Sequence, residues 1–397
     1  MKRIALFMHG GVAPAWSKQN VPGITALVSA LAESCDVTVY TRVKSDRYSL
    51  PFSCGNATVR FVGDDSTTHL TKQVMQFVEA FRRDHHSNPY ALVHGFWAIP
   101  GGIAAVLAAK ISGIPSVVSF LGGEAAALPG IKYGNMRRPL SRMLTLWTAR
   151  HADALSVLTK YQLDRLRAFG LPREENVHLI PLGVNQGMFP YAGKKPLPPP
   201  FHILHVGHLN DVKDQRTLLL AAQKVLKRLN CEIRIAGEGS KEQSLKVLAA
   251  ELGISDRVHF LGFIPNQELH EHFTWAHVLL HSSLYEGQGV VFAEAAASGV
   301  PICGTRVGLL SDLGDSFAAT AGPGDPAGLA DAVVELLADP VRMDRLKKYA
   351  RSWAESHDDT WSAERYLSSY DQLLNLQEVV DEHISHATLQ NAGEGIA

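Results

Sequence analysis

Cysteine is scarce: there are four in 397 residues, Cys35, Cys54, Cys231 and Cys303, and no two form a C-x-x-C pair. That excludes a disulfide framework or a zinc ribbon and makes a reducing, cytoplasmic setting the expectation. Charge of one sign is also missing. Lysine and arginine number 38 against 39 acidic residues, which excludes nucleic-acid binding by bulk positive charge. No apolar run approaches the roughly 18 residues of a membrane span. The longest candidate, from Ile103, is broken by Lys110, Gly113 and Pro115. The N-terminal run Ile4–Met8 is only five residues, shorter than the core of a secretion signal, and reads as a first buried strand. Histidine is plentiful, at 18, yet there is no H-E-x-x-H, and His270 and His272 cannot share a helix face. No metal site is expected.

What is present is an apolar fraction of 46%, 33 glycines and 20 prolines, the profile of a loop-rich α/β protein. Short apolar runs alternate with amphipathic stretches. In the first half the runs are Ile4–Met8, Val37–Tyr40, Val59–Val62, Leu92–Phe96, Ser116–Leu121 and Ala154–Leu158; helical patterns cover Ile24–Glu33 and Gln73–Arg83. Runs without alternation are strands buried on both faces, and the helical spacers supply the crossovers of a parallel sheet. The pattern stops at 187–200, where Pro196 and Pro198–Pro200 impose a stiff, extended linker. It restarts with strands at Ile203–Val206, Glu232–Ala236, Val258–Gly262, Val278–His281 and Pro301–Gly304, and helices at Gln215–Arg228, Lys241–Leu252, Gln267–Trp275 and Val290–Ser298. The expectation is α/β: two Rossmann-like doubly wound domains, over 1–186 and 201–355, facing a central cleft at the C-terminal ends of their strands.

The segment Glu286–Pro301 carries the chemistry. Gly287 and Gly289 let backbone approach a ligand closely. A helix follows, so its unpaired amides favour an anion such as a pyrophosphate. Glu286 sits at the helix mouth and Glu294, eight residues on, about one turn inside. A carboxylate accepts two hydrogen bonds from a vicinal diol, so two at different depths suit a sugar and a ribose.

The stretch resembles the E-x7-E signature of the retaining, nucleotide-sugar-dependent glycosyltransferases of family 4, which have the two-domain GT-B fold. Four further segments agree in order. Ile180–Asn185 with Phe189 resembles the family's P-x-G-V-D…F. Gly207-His208-Leu209 with Lys213 is similar to G-R-L…K, Gly237–Gly239 to G-x-G, and Pro323–Ala330 to P-x-D-x-x-x-L-A. The resemblance implies that Glu294 binds ribose, Glu286 faces the transferred sugar and Lys213 neutralises the leaving diphosphate, with either a charged His208 or another cation beside it. Gly207, Gly237, Gly287, Gln288, Gly289 and Val290 would complete the donor site. His94, Gly122, Gly123 and Glu124 would line the acceptor side. The donor is then a nucleoside-diphosphate sugar, the acceptor a glycan or lipid-linked hydroxyl, with no cofactor, no metal and no nucleic acid. A C-terminal helix over 356–378 would cross back to the first domain, leaving a flexible tail at 385–397.

Two positions depart from the family pattern. His208 stands where the family has arginine, and an imidazole offers fewer donors than a guanidinium. Leu121 stands where a histidine often ends the strand. These keep a catalytically silent nucleotide-sugar-binding scaffold open, beside an epimerase and a nucleotide-sugar hydrolase or phosphorylase. Blander readings also stand: Lys213 as a solvated lysine, His94 as a satisfied core histidine. Lastly, 132–150 holds Lys132, Arg137, Arg138, Arg142 and Arg150 and no acid, with Leu140, Met143, Leu144 and Trp147 at helical spacing. That pattern fits either an ordinary solvated helix or one facing an anionic membrane, with peripheral attachment at its inner face.

Overall fold

The computed structural model describes residues 1–13, 20–42, 54–63, 69–171, 175–193 and 197–393, with side chains to Gln377. Lys194–Pro196 of the expected linker and residues 394–397 of the expected tail lie outside the described residues.

The first sheet contains β1 (Arg3–Met8), β2 (Asp36–Thr41), β3 (Thr58–Phe61), β4 (Leu92–Phe96), β5 (Ser116–Phe120), β6 (Ala154–Val157) and β7 (Val177–Leu179). Their order is β3-β2-β1-β4-β5-β6-β7, and every pair is parallel. The second contains β8 (Phe201–Val206), β9 (Cys231–Ala236), β10 (Val258–Gly262), β11 (Val278–His281), β12 (Ile302–Thr305) and β13 (Ala319–Ala321). Their order is β10-β9-β8-β11-β12-β13, again all parallel. In both sheets the strand order reverses between the first strand of the unit and the fourth, at β1/β4 and β8/β11. That is where α/β sheets open a crevice for ligands.

Burial follows position. β4 and β11 are buried along their whole length, whereas the edge strand β3 alternates between exposed and half-buried residues. β7 and β13 have three residues each and were not anticipated from the sequence. A three-residue edge strand carries no periodic signal of its own.

The final helix, Asp359–Gly393, returns to the first domain. It buries Ala363, Tyr366 and Tyr370 in the same core as Ile24, Leu27 and Leu31 of the helix Pro22–Ser34, and Asp371 pairs with Lys2. Residues 385–393, expected within a flexible tail, are helical. The outgoing and returning chains run side by side: the Gly183 amide donates to Ser362 Oγ (2.7 Å), and that of Val184 to the His357 carbonyl (3.2 Å).

Candidate active site

Lys213 lies in the loop after β8, its backbone fixed at both ends. Its amide donates to Asn210 Oδ1 (3.1 Å), and its carbonyl accepts from Ser282 Oγ (2.8 Å). Asp214 follows with φ +48° and caps the next helix through the Thr217 amide. The lysine is thereby aimed across to the loop after β11. Its Nζ lies 2.6 Å from Glu286 Oε1.

That one carboxylate oxygen has two more donors, Ser283 Oγ at 2.6 Å and His281 Nε2 at 2.9 Å. Burial acts to raise the Glu286 pKa, but Lys213 and the bond from His281 outweigh it and hold the carboxyl well below the usual range. Glu286 is therefore ionised at any working pH. Behind it His281 is fully buried, stacked on His205 with ring centroids 5.6 Å apart and edge-on to Phe292.

The helix Val290–Ala297 starts at Gly289, whose φ of +83° places it in the left-handed region that glycine tolerates best. No side chain caps this helix, so its first amides face the loop unpaired by any side chain. One turn in, Glu294 is 6% exposed, and burial pushes its pKa up to about 7, opposed by Lys213. Among the described residues no group donates a hydrogen bond to it. A buried carboxylate without a donor is costly unless something else supplies one.

The two domains meet at this site. A Cβ on Gly287 would fall 2.9 Å from the Leu121 carbonyl oxygen, so glycine is needed for that approach. Thr159 Oγ1 donates to the Gly287 carbonyl (2.6 Å), and Tyr285 Oη to that of Gly122 (3.1 Å). Asp312 of the second domain accepts from the amides of Lys160 and Tyr161 at 2.6 and 2.8 Å, capping a first-domain helix.

Comparison with known proteins decides the family. Residues 193–353 match the family model "Glycosyl transferases group 1", and residues 21–183 match "Glycosyl transferase 4-like domain". The chain belongs to the GT-B glycosyltransferases of the family-4 type. Among curated relatives it is 27% identical over 274 residues to glycogen synthase of Mycobacterium tuberculosis, spanning 67% of this chain and 66% of that one. Among solved structures it superposes on sucrose-phosphate synthase from Thermosynechococcus elongatus with a TM-score of 0.82, at 22% identity, over 95% of this chain and 100% of that one. It also superposes on Anabaena HepE in complex with UDP-glucose with a TM-score of 0.74, at 16% identity, over 94% of this chain and 100% of that one.

Within this glycosyltransferase the structure brings Lys213, Glu286, Gly287, Gly289, Val290 and Glu294 together. His208 is exposed in the loop after β8, its carbonyl held by Gln215 Nε2 at 3.0 Å. Other expected site residues do different work. His94 is in the middle of β4. It is fully buried, with its ring nitrogens 2.7 Å from Tyr370 Oη and Ser119 Oγ, and burial lowers its pKa to about 3. The returning helix covers it, so it belongs to the core rather than the acceptor side. Glu124 is also buried, and accepts from the amides of Gly122 (2.7 Å) and Ala98 (3.4 Å). The carboxylate and the Gly122 amide satisfy each other, so neither is offered to an acceptor. Gly123 packs on Tyr133, whose ring would lie 3.0 Å from a Cβ.

Gln288 was expected on the donor. Its side-chain amide both donates to and accepts from the Leu182 backbone, 2.8 Å each way, and joins the domains, so only its main-chain amide at the helix mouth is left for a donor. Gly207 and Gly237 serve chain packing. Their amides donate to Ala236 and Gly262, and a Cβ on Gly237 would fall 2.0 Å from the Gly207 carbonyl oxygen. Sequence reasoning missed His205, Gln215, His281 and Ser283. The available signal was a histidine at or next to the C-terminal end of each of two mainly apolar strands, His205 in β8 and His281 in β11, buried polar groups that must have partners.

Proposed function

We propose that the protein is a retaining glycosyltransferase that moves a sugar from a nucleoside-diphosphate donor to a hydroxyl of a glycan or lipid-linked acceptor. The observation that carries this reading is the arrangement around the uncapped helix Val290–Ala297, with an ionised Glu286 paired to Lys213 at one side and a donor-less Glu294 at the other. A ribose diol supplies the hydrogen bonds that Glu294 lacks. The helix amides and the lysine face the diphosphate, and donors aimed at developing negative charge are worth roughly 3 kcal/mol each. Glu286 Oε2, which receives no hydrogen bond from the described residues, is left for the sugar.

The positive groups for the leaving diphosphate come from the chain itself, so no metal enters the proposed reaction. For the acceptor, the helix Pro139–His151 turns Thr145, Thr148 and Ala149 inward and leaves Leu140 and Met143 64% and 58% exposed beside the exposed Arg138 and Arg142. That face suits an anionic membrane and a lipid-linked acceptor. No helix of the described residues is long and apolar enough to cross a membrane, so attachment would be peripheral.

A thermal-shift panel of UDP-, ADP- and GDP-sugars tests the reading. A donor at a hundredfold excess over Kd stabilises the native state by about 2.7 kcal/mol. One donor standing out supports the proposal, and the anomeric configuration of the product, read by NMR, tests retention. No response to any nucleotide or nucleotide sugar would overturn it.

A further inference from the structure

The loops that carry Lys213 and Glu286 are joined from behind by a buried row of polar side chains with no place in the binding scheme above. Glu286 Oε1 only accepts, and the single Ser283 proton goes to it, so His281 Nε2, 2.9 Å from that oxygen and 2.7 Å from Ser283 Oγ, must carry a proton that it shares between the two. His281 Nδ1 is buried and has no partner. A bare acceptor nitrogen is tolerable there, while a stranded N–H is not, so the ring is neutral with its proton on Nε2. His205 has the opposite tautomer. Its Nδ1 donates to the Leu280 carbonyl (2.9 Å), and its Nε2 accepts from Gln215 Nε2 (3.2 Å). The same Gln215 nitrogen spends its other proton on the His208 carbonyl (3.0 Å). The two imidazoles stack at 5.6 Å, on neighbouring strands β8 and β11. One row thus ties the backbone of the His208 loop to the sheet, and the other fixes the carboxylate that holds Lys213. Ser283 adds the third donor to that carboxylate, with its own carbonyl bonded to Thr305 Oγ1 (2.6 Å).

We infer that His281 and Ser283, backed by His205 and Gln215, are positioning residues that hold Glu286 and Lys213 in one geometry for the transfer step. They act on turnover through those two side chains and leave nucleotide affinity to Glu294 and the helix amides. The inference rests on the glycosyltransferase reading. Misplacing groups that face the breaking bond slows the chemistry, because orientation within a fraction of an ångström is part of the barrier.

The test uses the full chain with UDP-glucose, and with the other members of the UDP-, ADP- and GDP-sugar panel. Three variants are compared with wild type: His281→Phe, His281→Gln and Ser283→Ala. Phenylalanine keeps the ring against His205 and Phe292 but loses the donor. Glutamine restores an N–H near the position of Nε2. In His281→Phe, kcat falls by about tenfold to a hundredfold while the donor KM changes less than about threefold. His281→Gln recovers most of the loss, which simple repacking would not produce. Ser283→Ala shows the same split with a smaller loss, and replaces the phenylalanine variant should that one fail to fold. A folded His281→Phe with wild-type kcat, or a loss appearing in KM alone, overturns the inference while the glycosyltransferase reading stands. A wild type that neither binds nor turns over any nucleotide sugar overturns both.

Discussion

Glu294 is the residue at which stability and function oppose each other most clearly. Its carboxyl titrates near 7 in the folded chain against an ordinary value of 4.5. At 1.36 kcal/mol for each step in pKa, the ionised form costs the native state about 3 kcal/mol. The sign follows from linkage. A carboxyl raised on folding favours the native state while it is protonated. That advantage is complete below about 4.5, drains away as pH climbs to about 7, and is absent above it. Glu294→Gln removes the titration but introduces a buried amide with its own unmet hydrogen bonds, so the absolute change in stability is not the readout. The pH dependence is. Relative to wild type, the variant gains about 2.5 kcal/mol between pH 5 and pH 8, which for domains of this size is several degrees in Tm. The same change leaves one acceptor oxygen where the ribose diol is proposed to use two, so the donor-induced thermal shift shrinks. Melts at both pH values, with and without UDP-glucose, measure both effects. A variant whose difference from wild type is the same at pH 5 and pH 8, or one that keeps the full donor shift, would refute the reasoning.

The other tests probe separate parts of the site. Lys213→Ala removes the cation proposed to face the leaving diphosphate and lowers kcat by about a hundredfold to a thousandfold, measured as product formed at saturating donor. Excess EDTA leaves transfer unchanged, since Lys213 and the helix amides carry the charge; a loss restored by magnesium would contradict that. Vesicles containing phosphatidylglycerol sediment with the protein and zwitterionic vesicles do not. Arg138→Glu with Arg142→Glu weakens the association by about 1 kcal/mol or more per residue, and binding indifferent to both lipid charge and these substitutions would remove the membrane face from the proposal.

The doubly wound architecture was legible because its signal is local. β4, β10 and β11 occupy the residues anticipated for them, since an apolar run between turn residues states its own limits. The helix mouth was legible for the same reason, with Gly289, Val290 and Glu294 within a few positions of one another. What could not be read was partnership across long separations. Gln288 sits at the helix mouth in the chain, yet its side-chain amide is spent on Leu182, 106 positions away. His94 lies beneath Tyr370, 276 positions on, which no pattern around β4 could indicate.

The glycines show a different limit, one of degeneracy. A ligand's phosphate and another stretch of backbone make the same demand, that no Cβ stand in the way. At Gly237 the demand comes from the Gly207 carbonyl, and at Gly287 from Leu121 of the opposite domain. Gly289 differs, because its left-handed φ turns the chain into an uncapped helix and leaves amides pointing outward. A glycine motif therefore says that something comes close. Only the placement of the neighbouring carbonyls says whether that something is the protein itself, and here it separates Gly237 and Gly287, which meet backbone carbonyls, from Gly289, which opens the mouth of an uncapped helix.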